Sequence, residues 1–220
     1  MSRPLPKSEI QRLFGSSSGE KVINRTGLFS CTPIDHFRIL ENVLKEHLPG
    51  YTSWKVLDGC ACAGADTLHF AEVCDRVLAI EKNEEEFRLL TQNVAGIPNV
   101  ETRHDTCLNH LNDPDVGMIY FDPPWGGPEH RTSQSMPMCD NKPISEIVQS
   151  VFEANSYITV VVKIPDYTEF SIPEVNAIRI NLINSRSNKP LYSYIIFSKW
   201  IPSSIYTYTV EPFNYHLYIK

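Results

Sequence analysis

Asp122 stands between a short apolar run and the sequence Pro123-Pro124-Trp125, and this stretch is the part of the chain best suited to chemistry. Proline donates no backbone N–H to a sheet, so residues 119–121 predict a buried strand that ends at Asp122. In open α/β sheets, ligands bind outside the carboxyl ends of the strands. Asp122 and Trp125 are therefore candidate ligand contacts, held stiffly by the two prolines. Taken alone, the stretch fits a proline-terminated turn with a core tryptophan equally well.

Three more acids, Asp58, Glu81 and Asp105, each follow one of the preceding predicted strands. The small-residue loop 59–65 comes directly after Asp58 and would let a ligand approach the backbone closely. The loop lacks the G-x-G-x-x-G pattern, and an acid at its start suits a cation better than a polyphosphate. S-adenosylmethionine fits, with Asp58 near its amino group, Glu81 on its ribose and Asp105 near its adenine amine. Each acid alone would also fit a solvated strand end.

This arrangement would place Asp122 and Trp125 opposite the methyl group. The exocyclic amine of a purine is a poor nucleophile because its lone pair is delocalised into the ring. A carboxylate that accepts its N–H would aim the lone pair at the methyl group, which is positioning and electrostatics, with no need for a strong general base. Trp125 offers a stacking face, and a cationic N7-methylated base would add a cation–π contribution of about 0.5–2 kcal/mol.

Strands that alternate with helices after residue 54 predict an α/β fold with a doubly wound, mostly parallel sheet of seven strands. The predicted strands are 56–57, 76–80, 100–103, 119–121, 157–162, 177–184 and 191–199, the last two forming an antiparallel hairpin. Predicted helices cover 33–47 with Thr32 as N-cap, 67–73, 84–95, a brief stretch ending at 111, and 144–154. A weak apolar pattern around Leu13 indicates a further short helix, and residues 126–143 read as a long polar loop. We expect residues 1–50 to form an extension over the active site and residues 51–220 to form the main domain.

The net charge of −6 argues against a protein that grips a long run of phosphates, although a short nucleic-acid end remains compatible with it. Residues 1–27 differ from the rest, with five basic side chains against two acidic ones. There is no apolar run near the ~20 residues that a membrane helix needs and no signal peptide pattern at the start. We expect an intracellular protein that is monomeric and not bound to a membrane.

Six cysteines are scattered along the chain without a CxxC pair. This pattern favours neither a zinc site nor a disulfide framework, so we expect reduced thiols and no metal. Cys60 and Cys62 are the only two that lie close together in the sequence.

Four stretches resemble, in order, the trimethylguanosine synthase family, which methylates N2 of the 7-methylguanosine cap of RNA with S-adenosylmethionine. They are Gly-Leu-Phe-Ser-Cys-Thr-Pro at 27–33, the loop region 56–71, the strand 77–81, and Pro123-Pro124-Trp125-Gly126-Gly127-Pro128. The resemblance covers roughly residues 10–200. It implies a Rossmann-like class I methyltransferase fold with a C-terminal antiparallel hairpin and a small helical N-terminal extension.

The resemblance also implies the site residues and the partner, m7G-capped RNA or an m7G nucleotide. Asp122, Pro123 and Trp125 would be catalytic, with Trp125 stacked on 7-methylguanine and Asp122 facing N2. The residues implied around the cofactor are Phe29, Thr32, Pro33, Asp58, Cys60, Ala61, Gly64, Thr67, Glu81, Lys82, Asn93, Asp105 and Asp122. Those implied at the cap are Arg25, Asp122, Pro124, Trp125 and Lys189, with the two basic residues near the triphosphate.

Two alternatives follow from departures from the family pattern. Asp122 stands where the family has serine, and Asp-Pro-Pro-Trp is what adenine-N6 methyltransferases carry, so an adenine-N6 methyltransferase on DNA or RNA is the first. Cys62 stands where the family loop has glycine, and Leu28 replaces a tryptophan. A catalytically silent, RNA-binding subunit is therefore the second. Gly126-Gly127-Pro128 speaks against the first alternative, and the retained acids and Trp125 speak against the second.

Overall fold

The computed structural model describes residues 6–15, 20–125 and 134–212. The signature residues Gly126-Gly127-Pro128 lie outside these ranges. The helices are α1 Lys7–Phe14, α2 Arg25–Ser30, α3 Ile34–His47, α4 Ala65–Val73, α5 Glu84–Asn93 and α6 Ile144–Ala154, with short 3-10 helices at Tyr51–Ser53 and Cys107–Asn109. The strands are β1 Lys55–Asp58, β2 Arg76–Glu81, β3 Val100–His104, β4 Val116–Phe121, β5 Met138–Cys139, β6 Lys142–Pro143, β7 Thr159–Ile164, β8 Asn176–Asn184, β9 Pro190–Ser198 and β10 Ser204–Val210.

The main sheet has the strand order β10-β8-β9-β7-β4-β1-β2-β3. Among its described strand pairs, only those that involve β9 are antiparallel. The predicted hairpin of β8 and β9 is confirmed. The prediction of seven strands was one too few, because the tail after Trp200 adds β10 in parallel beside β8 and so caps the edge of the sheet.

The strand order reverses between β1 and β4, which lie side by side in the centre of the sheet. From β1 the chain proceeds through β2 to β3 on one side, and from β4 it proceeds to β7 on the other. In doubly wound sheets such a reversal opens a crevice at the carboxyl ends of the two strands. Asp58 ends β1 and Asp122 directly follows β4, so the fold brings two of the predicted site acids to this crevice.

Helices cover both faces of the sheet, and the side chains of β4 alternate between the two layers. Met118 and Tyr120 pack in the cluster that contains the apolar face of α3, whereas Ile119 and Phe121 pack in the cluster that contains α6. This two-sided burial explains why the central strands are continuous apolar runs in the sequence. Among the described residues, no helix has both the length and the apolar character that crossing a membrane would need.

Several predicted boundaries differ from the structure. Thr32 was predicted as the N-cap of α3, but Pro33 holds that position without a side-chain cap, and the Thr32 hydroxyl donates to Asp66 instead. The helix predicted up to residue 111 is only the 3-10 helix Cys107–Asn109, since Asp113 and Val116 form turns immediately after it. Part of the predicted loop 126–143 forms the small hairpin of β5 and β6.

Asn93 fastens the N-terminal segment to the loop after β1. Its side chain is fully buried, donates to the carbonyls of Val22 and Ala63 at 2.7 and 2.8 Å, and accepts from the N–H of Val22 at 2.7 Å. All of its polar atoms are therefore engaged by the protein backbone. The resemblance had implied Asn93 as a cofactor contact; its hydrogen bonds instead assign it a structural role.

We predict that Asn93→Ala destabilises the protein by about 2–4 kcal/mol, because buried backbone groups of residues 22 and 63 lose their partners. This corresponds to a decrease in melting temperature of roughly 5–15 °C. Gln92→Ala, at the exposed neighbouring position of α5, is the matched control and should change the melting temperature very little. If Asn93→Ala instead weakened cofactor binding at an unchanged melting temperature, Asn93 would be a ligand contact after all.

Candidate active site

Asp58 is a fully buried carboxyl group at the tip of β1. Its Oδ2 accepts a hydrogen bond from the Thr67 hydroxyl at 2.6 Å, whereas its Oδ1 makes no hydrogen bond of good geometry within the described part of the chain, and the backbone N–H of Cys60 lies close enough to oppose the increase in its pKa. Burial, followed by repulsion from Asp66, raises the pKa of Asp58 to about 8. A buried carboxyl oxygen without a partner at the sheet crevice is suited to a cationic hydrogen-bond donor.

The loop after Asp58 is held closely against the tip of β2. Cys62 adopts a φ of 46°, which is uncommon for a residue other than glycine, and its N–H donates to Oε2 of Glu81 at 2.9 Å. Gly64 has a φ of 87°, and a Cβ there would come within 2.8 Å of Leu90 Cδ1. The loop thus forms with cysteine at position 62, where the resemblance implies glycine, even though the backbone φ there is positive.

Glu81 lies beside this loop, as its position after β2 predicts. Its Oε1 accepts from the N–H of Asn83 at 2.7 Å, so both carboxylate oxygens contact backbone amides. Burial raises the pKa of Glu81 above its ordinary value, and these hydrogen bonds oppose the change. Its assignment to a ribose remains a prediction.

Asp122 forms an ion pair with Lys163, whose Nζ lies 2.6 Å from Oδ2. Only 9% of the Asp122 side chain and 4% of the Lys163 side chain are exposed. Burial raises the pKa of Asp122 to about 6, with the positive charge of Lys163 opposing that increase. Burial acts to lower the pKa of Lys163, but Asp122 reverses this and raises it above the ordinary value. Lys163 is therefore protonated at neutral pH.

Lys163 also holds the N-terminal segment over the crevice. Its ammonium donates to the carbonyl of Ser30 and to the hydroxyl of Thr32, both at 3.0 Å, in addition to Asp122. The Thr32 hydroxyl in turn donates to Asp66 at 3.0 Å. An ammonium has three N–H donors, so these contacts use all of them.

Trp125 and Tyr192 form an aromatic corner above the ion pair. Their ring centroids are 6.0 Å apart, and Nζ of Lys163 lies 5.6 Å from the centroid of Trp125 and 5.0 Å from that of Tyr192. The Tyr192 hydroxyl is 2.7 Å from Nδ1 of His36, whose Nε2 contacts the carbonyl of Glu211 at 2.9 Å. Because that carbonyl can only accept, His36 carries its proton on Nε2 and Tyr192 donates to Nδ1. Burial lowers the pKa of His36, which keeps it neutral.

The crevice holds more negative than positive groups. Three carboxyl groups are buried or nearly buried here, those of Asp58, Asp66 and Asp122. Among the described residues, Lys163 is the one buried lysine that forms an ion pair with any of them. Asp58, whose pKa is about 8, is largely protonated at neutral pH, and its ionisation would create an excess of negative charge in a region of low dielectric. A bound cation would offset that excess, and S-adenosylmethionine carries both a sulfonium and an ammonium group.

The other predicted site residues lie at varying distances from this centre. The carboxylate of Asp105 accepts from the N–H of Thr106 at 2.8 Å and contacts His110 at 2.9 Å, and these bonds lower its pKa. Its assignment to the adenine amine remains a prediction. Lys82 pairs with Asp140. Exposed positions are held by Arg25, Pro124 and Lys189, while Cys60, Ala61 and Pro33 are buried or half-buried, and the side chain of Phe29 is outside what the structure describes.

Sequence reasoning missed Lys163, Asp66 and Tyr192. For Lys163 a signal was present, because a lysine within the apolar run of β7 is unusual unless it has a buried partner. Asp66 and Tyr192 gave no comparable signal, since an acid in the first turn of a helix and a tyrosine in a strand are both common.

Several known proteins are similar to this chain. An uncharacterized protein of Acanthamoeba polyphaga mimivirus is 30% identical over 116 residues, which is 50% of this chain but only 45% of the relative, so the match spans less than half of that protein. Among solved structures, a conserved hypothetical protein of Streptococcus pyogenes has a TM-score of 0.51 at 10% identity, covering 74% of this chain and 97% of its own. An O-methyltransferase from Bacillus cereus in complex with SAH has a TM-score of 0.50 at 12% identity, covering 82% and 84%.

These structures confirm the class I, Rossmann-like methyltransferase fold predicted from the sequence. S-adenosylmethionine is the cofactor of methyltransferases with this fold, and the partnerless oxygen of Asp58 and the negative crevice fit it. The family model of RNA cap guanine-N2 methyltransferases matches residues 53–187, well over half of the chain. The chain therefore belongs to the RNA cap guanine-N2 methyltransferase family.

Proposed function

We propose that this protein transfers a methyl group to N2 of the 7-methylguanosine cap of RNA, giving 2,7-dimethylguanosine or 2,2,7-trimethylguanosine. The observation that carries the proposal is the buried pair of Asp122 and Lys163 beneath Trp125. When bound, S-adenosylmethionine supplies an electrophilic methyl group. Asp58, Glu81 and the loop 59–64 would hold it, since Asp58 offers a free acceptor for a cation and Glu81 lies at the neighbouring strand tip.

The hydrogen bonds of Lys163 favour guanine over adenine as the acceptor base. All three of its N–H groups are used by Ser30, Thr32 and Asp122. The ion pair therefore offers an incoming base only hydrogen-bond acceptors, the oxygens of Asp122. Guanine offers two neighbouring donors on this edge, N1–H and N2–H. Adenine offers one amine with an acceptor nitrogen on either side, and those nitrogens would face a carboxylate without a proton between them.

Asp122 would position the exocyclic amine and direct its lone pair. The carboxylate, ionised above a pKa of about 6, accepts the N2–H and leaves the nitrogen lone pair facing the methyl group. The amine proton becomes acidic only after transfer, so Asp122 can then receive it without being a strong base. The Asp122 carboxylate thus serves both as an orienting group and as a proton acceptor.

Trp125 would stack on the base, and the basic residues nearby would contact the phosphates. A 7-methylguanine ring is cationic, and its attraction to an indole face is about 0.5–2 kcal/mol. Arg25 at the start of α2 and Lys189 before β9 are exposed and so available to a triphosphate. The loop conformation formed with Cys62, and the partnerless oxygen of Asp58, favour an active enzyme over a silent binding subunit.

The first prediction concerns the acceptor. With labelled S-adenosylmethionine, the purified protein should transfer methyl groups to m7GTP and to m7G-capped RNA, and not to GTP or to adenine-containing oligonucleotides. Transfer to adenine would overturn the guanine assignment. Failure to bind the cofactor in calorimetry would favour the silent subunit. Chromatographic analysis of the product would then show whether one or two methyl groups are added.

Trp125→Ala should weaken m7GTP binding at least about tenfold while cofactor affinity changes little, because the stacking face is lost. Trp200→Ala is the matched control: Trp200 is 61% exposed, stacks on Tyr157 and follows the opposite end of β9 from Tyr192. Fluorescence titration with each ligand measures both affinities. Equal loss of both affinities in Trp125→Ala would mean that Trp125 is a packing residue.

Lys163→Met should move the acidic limb of the pH profile of kcat/KM upward from about 6 by roughly one to two pH units, because Asp122 loses its cation. Activity in the wild type should fall as the pH drops below about 6, when Asp122 takes up a proton. Lys199→Met changes an exposed lysine and should leave the limb in place. An unmoved limb in Lys163→Met would show that Asp122 does not govern activity.

Asp58→Asn should abolish cofactor binding yet stabilise the cofactor-free protein. The pKa of Asp58 is about 8 when folded and near 3.8 when exposed, so folding takes up a proton between these values and stability falls as the pH rises. The gain in melting temperature from Asp58→Asn should therefore increase from pH 5 to 8 and then level off. Asp113→Asn is the control, and it should lower the melting temperature instead of raising it. The ion pair with Lys55 helps to lower the pKa of Asp113, so its ionised carboxylate stabilises the folded protein. A gain independent of pH would contradict this account.

A further inference from the structure

Three cysteine thiols from separate parts of the chain lie close together at the loop 59–65, which follows β1. Cys60 lies in the loop after β1, Cys107 begins the 3-10 helix after β3, and Cys139 ends β5. The Sγ atoms of Cys60 and Cys139 are 3.9 Å apart, and those of Cys107 and Cys139 are 3.3 Å apart. Cys107 and Cys139 are buried and Cys60 is half-buried. The reaction proposed above uses no thiol group of these three residues, although Cys60 belongs to the loop proposed to hold the cofactor.

A carboxylate lies beside the thiols. An oxygen of Asp140 and the sulfur atoms of Cys107 and Cys139 all lie within 4.8 Å of one another. Asp140 accepts from the ammonium of Lys82 and from the hydroxyl of Thr106. Asp140 and Asn141 have φ values of 50° and 63°, as in a type I′ hairpin turn, which fixes Cys139 and Asp140 relative to each other.

We propose that Cys60, Cys107 and Cys139, together with Asp140, bind one Zn²⁺ ion. Zinc takes three or four cysteine ligands in tetrahedral sites with Zn–S distances of about 2.3 Å, and this geometry sets neighbouring sulfurs roughly 3.8 Å apart. The two distances of 3.9 and 3.3 Å lie on either side of that value. Asp140, with an oxygen within 4.8 Å of the sulfurs of Cys107 and Cys139, would supply the fourth ligand. The absence of CxxC pairs hid this site in the sequence, because the three cysteines come from three separate parts of the chain.

The charge of the site suits a divalent ion. Three thiolates and one carboxylate carry four negative charges, of which Zn²⁺ offsets two and the adjacent Lys82 offsets one. Binding requires the thiols to lose their protons, so affinity should increase with pH. All four positions are filled by protein atoms, which is typical of a structural site with no open position for a substrate. The ion would fasten the hairpin of β5 and β6 to the loop that begins at Asp58.

The test uses the reduced, full-length protein with Co²⁺ as a spectroscopic probe and Zn²⁺ as competitor. We expect one Co²⁺ per chain, with a thiolate charge-transfer band in the near ultraviolet and the visible bands of a tetrahedral ion, and we expect Zn²⁺ to remove both. Cys139→Ser should lower the affinity for Zn²⁺ at least about 100-fold and remove most of the charge-transfer band. Cys74→Ser is the matched control, because Cys74 is also a buried thiol but lies outside the cluster. Its sulfur contacts the carbonyl of Tyr51.

A second measurement on the wild type covers the case in which a variant fails to fold. Zn²⁺ should slow alkylation of Cys60, Cys107 and Cys139, mapped by mass spectrometry, while Cys31 and Cys62 react at unchanged rates. It should also raise the melting temperature in proportion to the logarithm of the free zinc concentration above the dissociation constant. The proposal is overturned if the wild type gives no charge-transfer band, if Cys139→Ser binds as tightly as the wild type, or if Zn²⁺ protects all cysteines equally.

Discussion

The burial of acids at the point where the strand order reverses is the constraint on which the active site depends. Asp58 and Asp122 lie at the tips of two adjacent strands, with Asp66 close enough to raise the pKa of Asp58. Isolated carboxylates in such a place are costly, and each must be paired, protonated or matched by a ligand. Asp122 is paired with Lys163, whereas the raised pKa of Asp58, about 8, keeps that carboxyl mostly protonated at neutral pH. In the proposed reaction, Asp122 would lie on the side of the methyl acceptor and Asp58 on the side of the cofactor.

Lys163 connects the crevice to the N-terminal segment. Its hydrogen bonds to Ser30 and Thr32 hold the end of α2 and the residues before α3 against the strand tips. The Thr32 hydroxyl in turn donates to Asp66. Removal of the ammonium would take the donor away from three acceptors in two chain segments, at Ser30 and Thr32 and at Asp122. The segment that precedes the sheet is thus a structural part of the crevice. Whether residues 1–50 act as a separate covering unit stays a prediction.

Much of this arrangement could be predicted from the sequence because it depends on local patterns. Parallel strands carry their carboxyl ends to one edge of the sheet, so an acid after each apolar run is enough to place Asp58, Glu81 and Asp122 together. Contacts that depend on which distant segments meet could not be predicted. The partners of Lys163 lie 41 or more residues away in the chain, and the three clustered cysteines are brought together only by the order of the strands and the hairpin. The same reason explains why β10 was not predicted as an eighth strand of the sheet: the residues after Trp200 indicate β or extended structure but do not reveal that the strand pairs with β8.

The identity of residue 122 bears on substrate choice through its partner. A carboxylate at this position, taken alone, suits an adenine amine as well as a guanine amine, because both donate an N–H. The difference lies in the neighbouring ring nitrogen, which is a donor in guanine and an acceptor in adenine. An ammonium free to donate beside Asp122 would satisfy adenine, but each N–H of Lys163 is already bound within the protein. Adenine would thus be disfavoured because its acceptor ring nitrogen would lie next to the Asp122 carboxylate without a donor. The free-energy cost of leaving such a group unpaired is generally larger than the gain from one added hydrogen bond. On this argument Asp122 is compatible with cap guanine as long as Lys163 stays buried and fully hydrogen-bonded.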